Sequence, residues 1–150
     1  MKRPLVLGVG NLLMGDEGIG VAAIRHLEQA GLADRADLVD GGTGGFHLLG
    51  LFRDYEHVIL IDAAADGKAP GTVSLIKPRF ASDFPPSLTA HDIGLKDLIE
   101  SAALLGDLPK VDLVTISIGA LSAMSLELSA AVKGALPEVE ALALKCLETP

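Results

Sequence analysis

Three side chains able to hold a metal ion or move a proton sit in separate blocks of this 150-residue chain. Glu17 lies in the glycine-rich run GVGNLLMGDEGIG, from Gly8 to Gly20. Asp62 closes the apolar run VILID, and His91 lies in SLTAHDIGL. Two carboxylates and an imidazole suit a borderline divalent metal such as nickel or zinc, or a general acid/base group. Their wide spacing makes no local motif, so only the fold can bring them together. The other histidines are weaker candidates: His26 and His47 read as helix-surface or core residues, and His57 as the start of a strand.

Other chemistries fit the same segments less well. Gly8 and Gly10 match the start of a G-x-G-x-x-G dinucleotide fingerprint, but Leu13 stands where its third glycine belongs. Asp16 and Glu17 would also repel a phosphate at the helix N-terminus. A receiver-like phosphoacceptor would use Asp16, Glu17 and Asp62 to hold magnesium. It also requires a lysine near the end of the last strand, where this chain reads VTISIGA. No G-x-S-x-G occurs, and Cys146 falls in a terminal helix far from His91 in sequence, so no side chain stands out as a nucleophile. The segment DGGTGG, from Asp40 to Gly45, reads either as a tight connection or as a mobile lip that lays backbone groups against an extended peptide.

The elements that must position these residues alternate. Strands are predicted over Pro4 to Val9, Ala36 to Asp40, His57 to Asp62, Thr72 to Ile76 and Val111 to Ile118. Most are continuous apolar runs, the pattern of strands buried on both faces. Helices are predicted over Gly18 to Ala30, Gly45 to Asp54, Asp92 to Leu105 and Glu127 to Glu148, with Pro137 breaking or kinking the last. The first would bury a stripe of Ile19, Ala22, Ala23, His26 and Leu27. Alternation predicts one domain over residues 1–150, a three-layer α/β/α sandwich on a mostly parallel five-stranded sheet. Loops beyond the carboxyl ends of such strands gather at the point where strand order reverses. If the first and third strands are neighbours there, Glu17 and Asp62 face one crevice.

Composition narrows the class of partner. The chain is 49% hydrophobic without tryptophan, so its core rests on aliphatic side chains. A formal net charge of -8 argues against nucleic acid. No apolar run reaches the roughly 20 residues of a membrane span. The N-terminus does not read as a signal peptide, and one cysteine cannot form an internal disulfide. A soluble cytoplasmic protein is expected.

Four blocks in register resemble the [NiFe]-hydrogenase maturation endopeptidases: LVLGVGNLLMGDEGIGV, DGGTGGFHLLGLF, VILIDAAADGKAPGTV and SLTAHDIGL. Together they span roughly residues 4 to 118. The resemblance implies a peptidase, by family convention of aspartic type, that removes a C-terminal extension from a hydrogenase large-subunit precursor. It implies that Glu17, Asp62 and His91 contact nickel already carried by the substrate, and that they are the catalytic set. Asp40, Gly41, Gly42, Thr43 and Gly44 match the loop associated with substrate selection. A monomer is expected. A metal-checking chaperone that binds the large subunit without cutting it is the alternative. After the last strand the chain departs from the family: a Gln-Pro segment is replaced by IGALSAMSLELSAAV. The family's LSP-type helix start survives only in Leu128-Ser129-Ala130.

Overall fold

The computed structural model describes residues 3–10, 15–42, 47–85, 95–106, 108–119 and 127–148. Five strands form one sheet: β1 (Leu5–Gly8), β2 (Asp37–Asp40), β3 (His57–Ala64), β4 (Val73–Ile76) and β5 (Lys110–Ser117). Their order is β2-β1-β3-β5-β4. All pairings are parallel except that of β4, which closes one edge antiparallel to β5.

Side chains alternate across each strand. Val6, Ile59, Ile61 and Val114 therefore go to one face, and Leu5, Leu7, Leu60 and Leu113 to the other. Helices α1 (Ile19–Gln29) and α5 (Leu136–Glu148) cover the first face. Helices α2 (His47–Asp54) and α3 (Leu95–Leu104) cover the second, through residues such as Phe52 and Ile99. The expected three-layer α/β/α sandwich is thus present. Among the described residues no helix is long and apolar enough to cross a membrane. Burying one aliphatic side chain contributes about 1.5–3 kcal/mol, whereas a buried carboxylate costs stability unless it is paired or hydrogen-bonded. The sheet nevertheless contains two fully buried aspartates, Asp62 in β3 and Asp112 in β5.

Several boundaries differ from expectation. Asp62 does not end its strand, because β5 continues beside it and pairs Ala63 and Ala64 with Ile116 and Ser117. Helix α1 buries Val21 and Ile24 besides Ile19, Ala23 and Leu27, while Ala22 and His26 are only half-buried. The helix expected from Glu127 is two helices, α4 (Ala130–Lys133) and α5. Pro137 falls in the first turn of α5, where no intrahelical bond needs its missing N–H. The expected starts of α2 at Gly45 and of α3 at Asp92 lie outside the described residues.

Candidate active site

In the order β2-β1-β3 the chain steps to one side of β1 and then to the other, so the strand order reverses between β1 and β3. These strands are neighbours, with Gly8 opposite Ile61. Beyond β1 the residues Gly15–Gly18 form a 3-10 turn that packs against β3, and Glu17 is buried within it. The two carboxylates are therefore placed at the same end of neighbouring strands.

Three glycines make that approach possible. A Cβ on Gly20 would lie 2.2 Å from the Val9 carbonyl oxygen and 2.5 Å from that of Ile61. One on Gly8 would meet the Gly20 oxygen at 2.1 Å. The first turn of α1 is thus set directly on the end of β1 and on β3 at Ile61. Gly10, with φ +148, comes so close to the Glu17 carbonyl that a side chain there would strike it. The glycines of the opening run serve helix-to-strand contact, not a phosphate cradle.

Asp62 lies on the sheet face covered by α2 and α3, given the alternation from Val58 and Leu60. Its Oδ1 accepts a hydrogen bond from the Ala63 backbone N–H at 2.8 Å. On the same face β5 presents Thr115, directly opposite Asp62, and then Ser117. Ser117 Oγ is buried and has no hydrogen-bond partner among the described residues. A buried polar atom without a partner is uncommon enough to mark a place where a polar group is expected.

The adjacent acids differ in surroundings, Glu17 being buried and Asp16 not. Asp16 turns to Ser129, accepting hydrogen bonds from its backbone N–H (2.7 Å) and its hydroxyl (2.9 Å). The one signal of this partnership in the sequence is Ser129 standing directly before a helix, the ordinary place of an N-cap. Nothing in the sequence ties that serine to Asp16. Asp40 ends β2 exposed, and its Oδ1 accepts from Gly42 N–H at 2.8 Å. Gly41 donates to the Gly8 carbonyl (2.8 Å), and the Gly42 carbonyl accepts from Gly10 N–H (2.6 Å). The start of the expected lip is therefore fixed to the end of β1. His91, Thr43 and Gly44 lie outside the described residues. Among the described residues no group of three His, Cys, Asp or Glu side chains could hold a metal ion.

At the opposite end of the sheet the polar groups are paired among themselves. His57 Nε2 and Lys77 Nζ donate to the two oxygens of Asp112, at 2.7 and 3.1 Å. Burial pushes this carboxyl up, but the hydrogen bonds and charges of His57 and Lys77 outweigh it and hold it below the usual carboxylate range. Cys146 is buried near this group, and burial, then Asp112, push its thiol up to about 11. Tyr55 donates to Asp37 at 2.6 Å, and Arg3 Nε lies 3.2 Å from the same carboxylate. His26 Nε2 lies 2.8 Å from Glu140 Oε1, joining α1 to α5. Neither His26 nor His57 belongs to the switch-point site.

An open α/β sheet with carboxylates at its switch point defines a protein whose ligand enters at the carboxyl ends of β1 and β3. The sequence profile of the hydrogenase maturation proteases matches residues 21–146. The chain is 40% identical over 111 residues to the hydrogenase 2 maturation protease of Escherichia coli K12, covering 72% of this chain and 68% of that protein. The structure of the hydrogenase maturating endopeptidase HybD from E. coli superposes with a TM-score of 0.84 at 32% identity, covering 98% of this chain and 93% of that one. The HybD maturation protease of Thermococcus kodakarensis gives 0.77 at 27% identity, covering 96% and 98%. The chain belongs to the hydrogenase maturation protease family, and its role is that of a peptidase in hydrogenase maturation.

Proposed function

We propose that the protein is an endopeptidase that removes the C-terminal extension of a [NiFe]-hydrogenase large-subunit precursor once nickel has been inserted. The observation that carries this reading is the burial of Glu17 and Asp62 at one end of neighbouring strands. Oxygen donors with an imidazole form a set suited to nickel, and in this reading Glu17, Asp62 and His91 meet the nickel that the substrate carries. Asp40 and residues 41–44 then border the incoming peptide. The protein works as a cytoplasmic monomer.

The chemistry fits carboxylate-assisted hydrolysis, the sense in which the enzyme is of aspartic type. A carboxylate at the site takes a proton from water as the water attacks the scissile carbonyl, and the leaving amine is protonated in turn. A cysteine mechanism has no support: Cys146 lies at the far end of the sheet with its thiol raised, and the thiolate is the nucleophilic form.

The test is incubation of the purified protein with nickel-loaded precursor, with the mass of the large subunit as readout. Loss of a C-terminal peptide is expected, and nickel-free precursor should remain whole. Glu17→Gln, Asp62→Asn and His91→Ala should each abolish cleavage in a folded protein. A stable complex with no change of mass would establish the non-cleaving chaperone instead.

A further inference from the structure

Asp16 stands next to Glu17, yet its carboxylate is spent on a residue 113 positions away. Its Oδ1 accepts from the Ser129 backbone N–H at 2.7 Å and its Oδ2 from the Ser129 hydroxyl at 2.9 Å. The same hydroxyl accepts from Val132 N–H at 3.4 Å, so Ser129 caps α4 while it holds Asp16. Hydrogen bonds to an ionised acceptor are the strong ones.

The anchor is itself fixed. A Cβ on Gly71 would lie 2.5 Å from the Ala131 carbonyl oxygen, so α4 rests against the turn before β4. That turn is stitched to the end of β5: Gly71 N–H donates to the Ser117 carbonyl, and Ser117 N–H to the Thr72 carbonyl, both at 2.8 Å. β5 in turn pairs with β3 at Asp62. A continuous path of backbone contact and hydrogen bonds therefore runs from Asp62 through β5, Gly71 and Ser129 to Asp16. From the other side, Gly10 abuts the Glu17 carbonyl.

We propose that Asp16 is a positioning residue: by clamping the 3-10 turn to Ser129 it fixes Glu17 relative to Asp62, and so makes the C-terminal segment part of the site. The proposal rests on the reading of Glu17 as a site residue. It gives a function to Leu128-Ser129-Ala130, the surviving part of the family's helix start.

The test compares Asp16→Ala, Asp16→Asn, Ser129→Ala and the double variant Asp16→Ala/Ser129→Ala. Asparagine can keep both bonds, its oxygen accepting from Ser129 N–H and its amide donating to Ser129 Oγ. With nickel-loaded precursor at saturation, Asp16→Ala should lose roughly ten- to a hundredfold in kcat. Asp16→Asn should recover most of that loss, and the double variant should be no worse than Asp16→Ala. Hydrogen exchange at the Glu17 amide should quicken in Asp16→Ala and return to the wild-type rate in Asp16→Asn, while exchange at Leu60 in β3 stays unchanged. Wild-type kcat in Asp16→Ala, or an Asp16→Asn as impaired as Asp16→Ala, overturns the clamp. An unchanged Glu17 exchange rate overturns it whether or not the precursor is cut. A wild-type protein that leaves loaded precursor whole refutes the endopeptidase reading separately.

Discussion

Replacing Gly20 with alanine probes how tightly α1 must sit on the strand ends. The new methyl would lie 2.2 Å from the Val9 oxygen, just past β1, and 2.5 Å from the Ile61 oxygen in β3, both backbone atoms. Neither can rotate away as a side chain could. Ordinary contact begins near 3.4 Å, so the helix must withdraw by about 1 Å. Overpacking of this kind costs about 1–3 kcal/mol, which lowers Tm by roughly 2–12 °C in a domain of this size. The displaced turn carries Glu17 with it, and a 1 Å misplacement near reacting groups costs about a hundredfold in rate. Thermal unfolding followed by circular dichroism, with precursor cleavage measured well below Tm, reads both effects. Gly50→Ala is the control. Its position in α2 is exposed, and an added methyl there would have nothing within 4 Å among the described residues, so it should gain about 0.4–1 kcal/mol. A Gly20→Ala protein with unchanged Tm and cleavage within twofold of wild type would refute the close-contact argument.

Other consequences follow from the paired groups at the far end of the sheet. Tyr55 is the chain's one tyrosine, and there is no tryptophan, so its ionisation is read directly by ultraviolet titration. Its hydrogen bond to Asp37, then burial, push the phenol up to about 12, and Asp37→Asn should bring the transition down toward 10. Because the folded state holds this proton more tightly, the contribution is complete below pH 10 and fades as pH rises toward 12. Asp112 has the opposite sign. Its folded pKa lies below the ordinary aspartate value of 3.8, so its contribution is full above that pH and is lost as pH falls through the lower folded value. Acid unfolding monitored by circular dichroism should therefore shift to higher pH in Lys77→Met; an unshifted midpoint would contradict the pairing. Cys146 should resist a thiol reagent at pH 8 in the folded protein and react at the rate of global unfolding. Fast labelling of native protein would show that the thiol is reachable.

The central strands were legible because both of their faces are buried: LVL and VILI read as uninterrupted apolar runs, which parallel inner strands require. The direction of β4 was not legible, since VSLI pairs equally well either way and only the connection decides. Glu17 and Asp62 stood out as acids beside glycine and inside an apolar run, and the switch-point rule set the condition, β1 beside β3, under which both lie at one end of the sheet. The separate roles of Asp16 and Glu17 did not follow. Adjacent acids look alike in a sequence, and what distinguishes them is a serine brought near by the whole fold. The division of the C-terminal helix was half visible: Pro137 signalled the break, but Ser129 capping a four-residue α4 depends on the turn at Gly71.

The bond between Asp16 and Ser129 also sets an order in time. At a synthesis rate of about 5–20 residues per second, the 113 positions between them take roughly 6–23 s to make. Once residue 64 has been made, β1, β3 and the turn bearing Glu17 all exist as chain, while the anchor that fixes the turn has not been translated. A nascent protease therefore holds its carboxylates before it can hold them still. If the clamp acts as proposed, full activity waits for the segment that begins at Ser129.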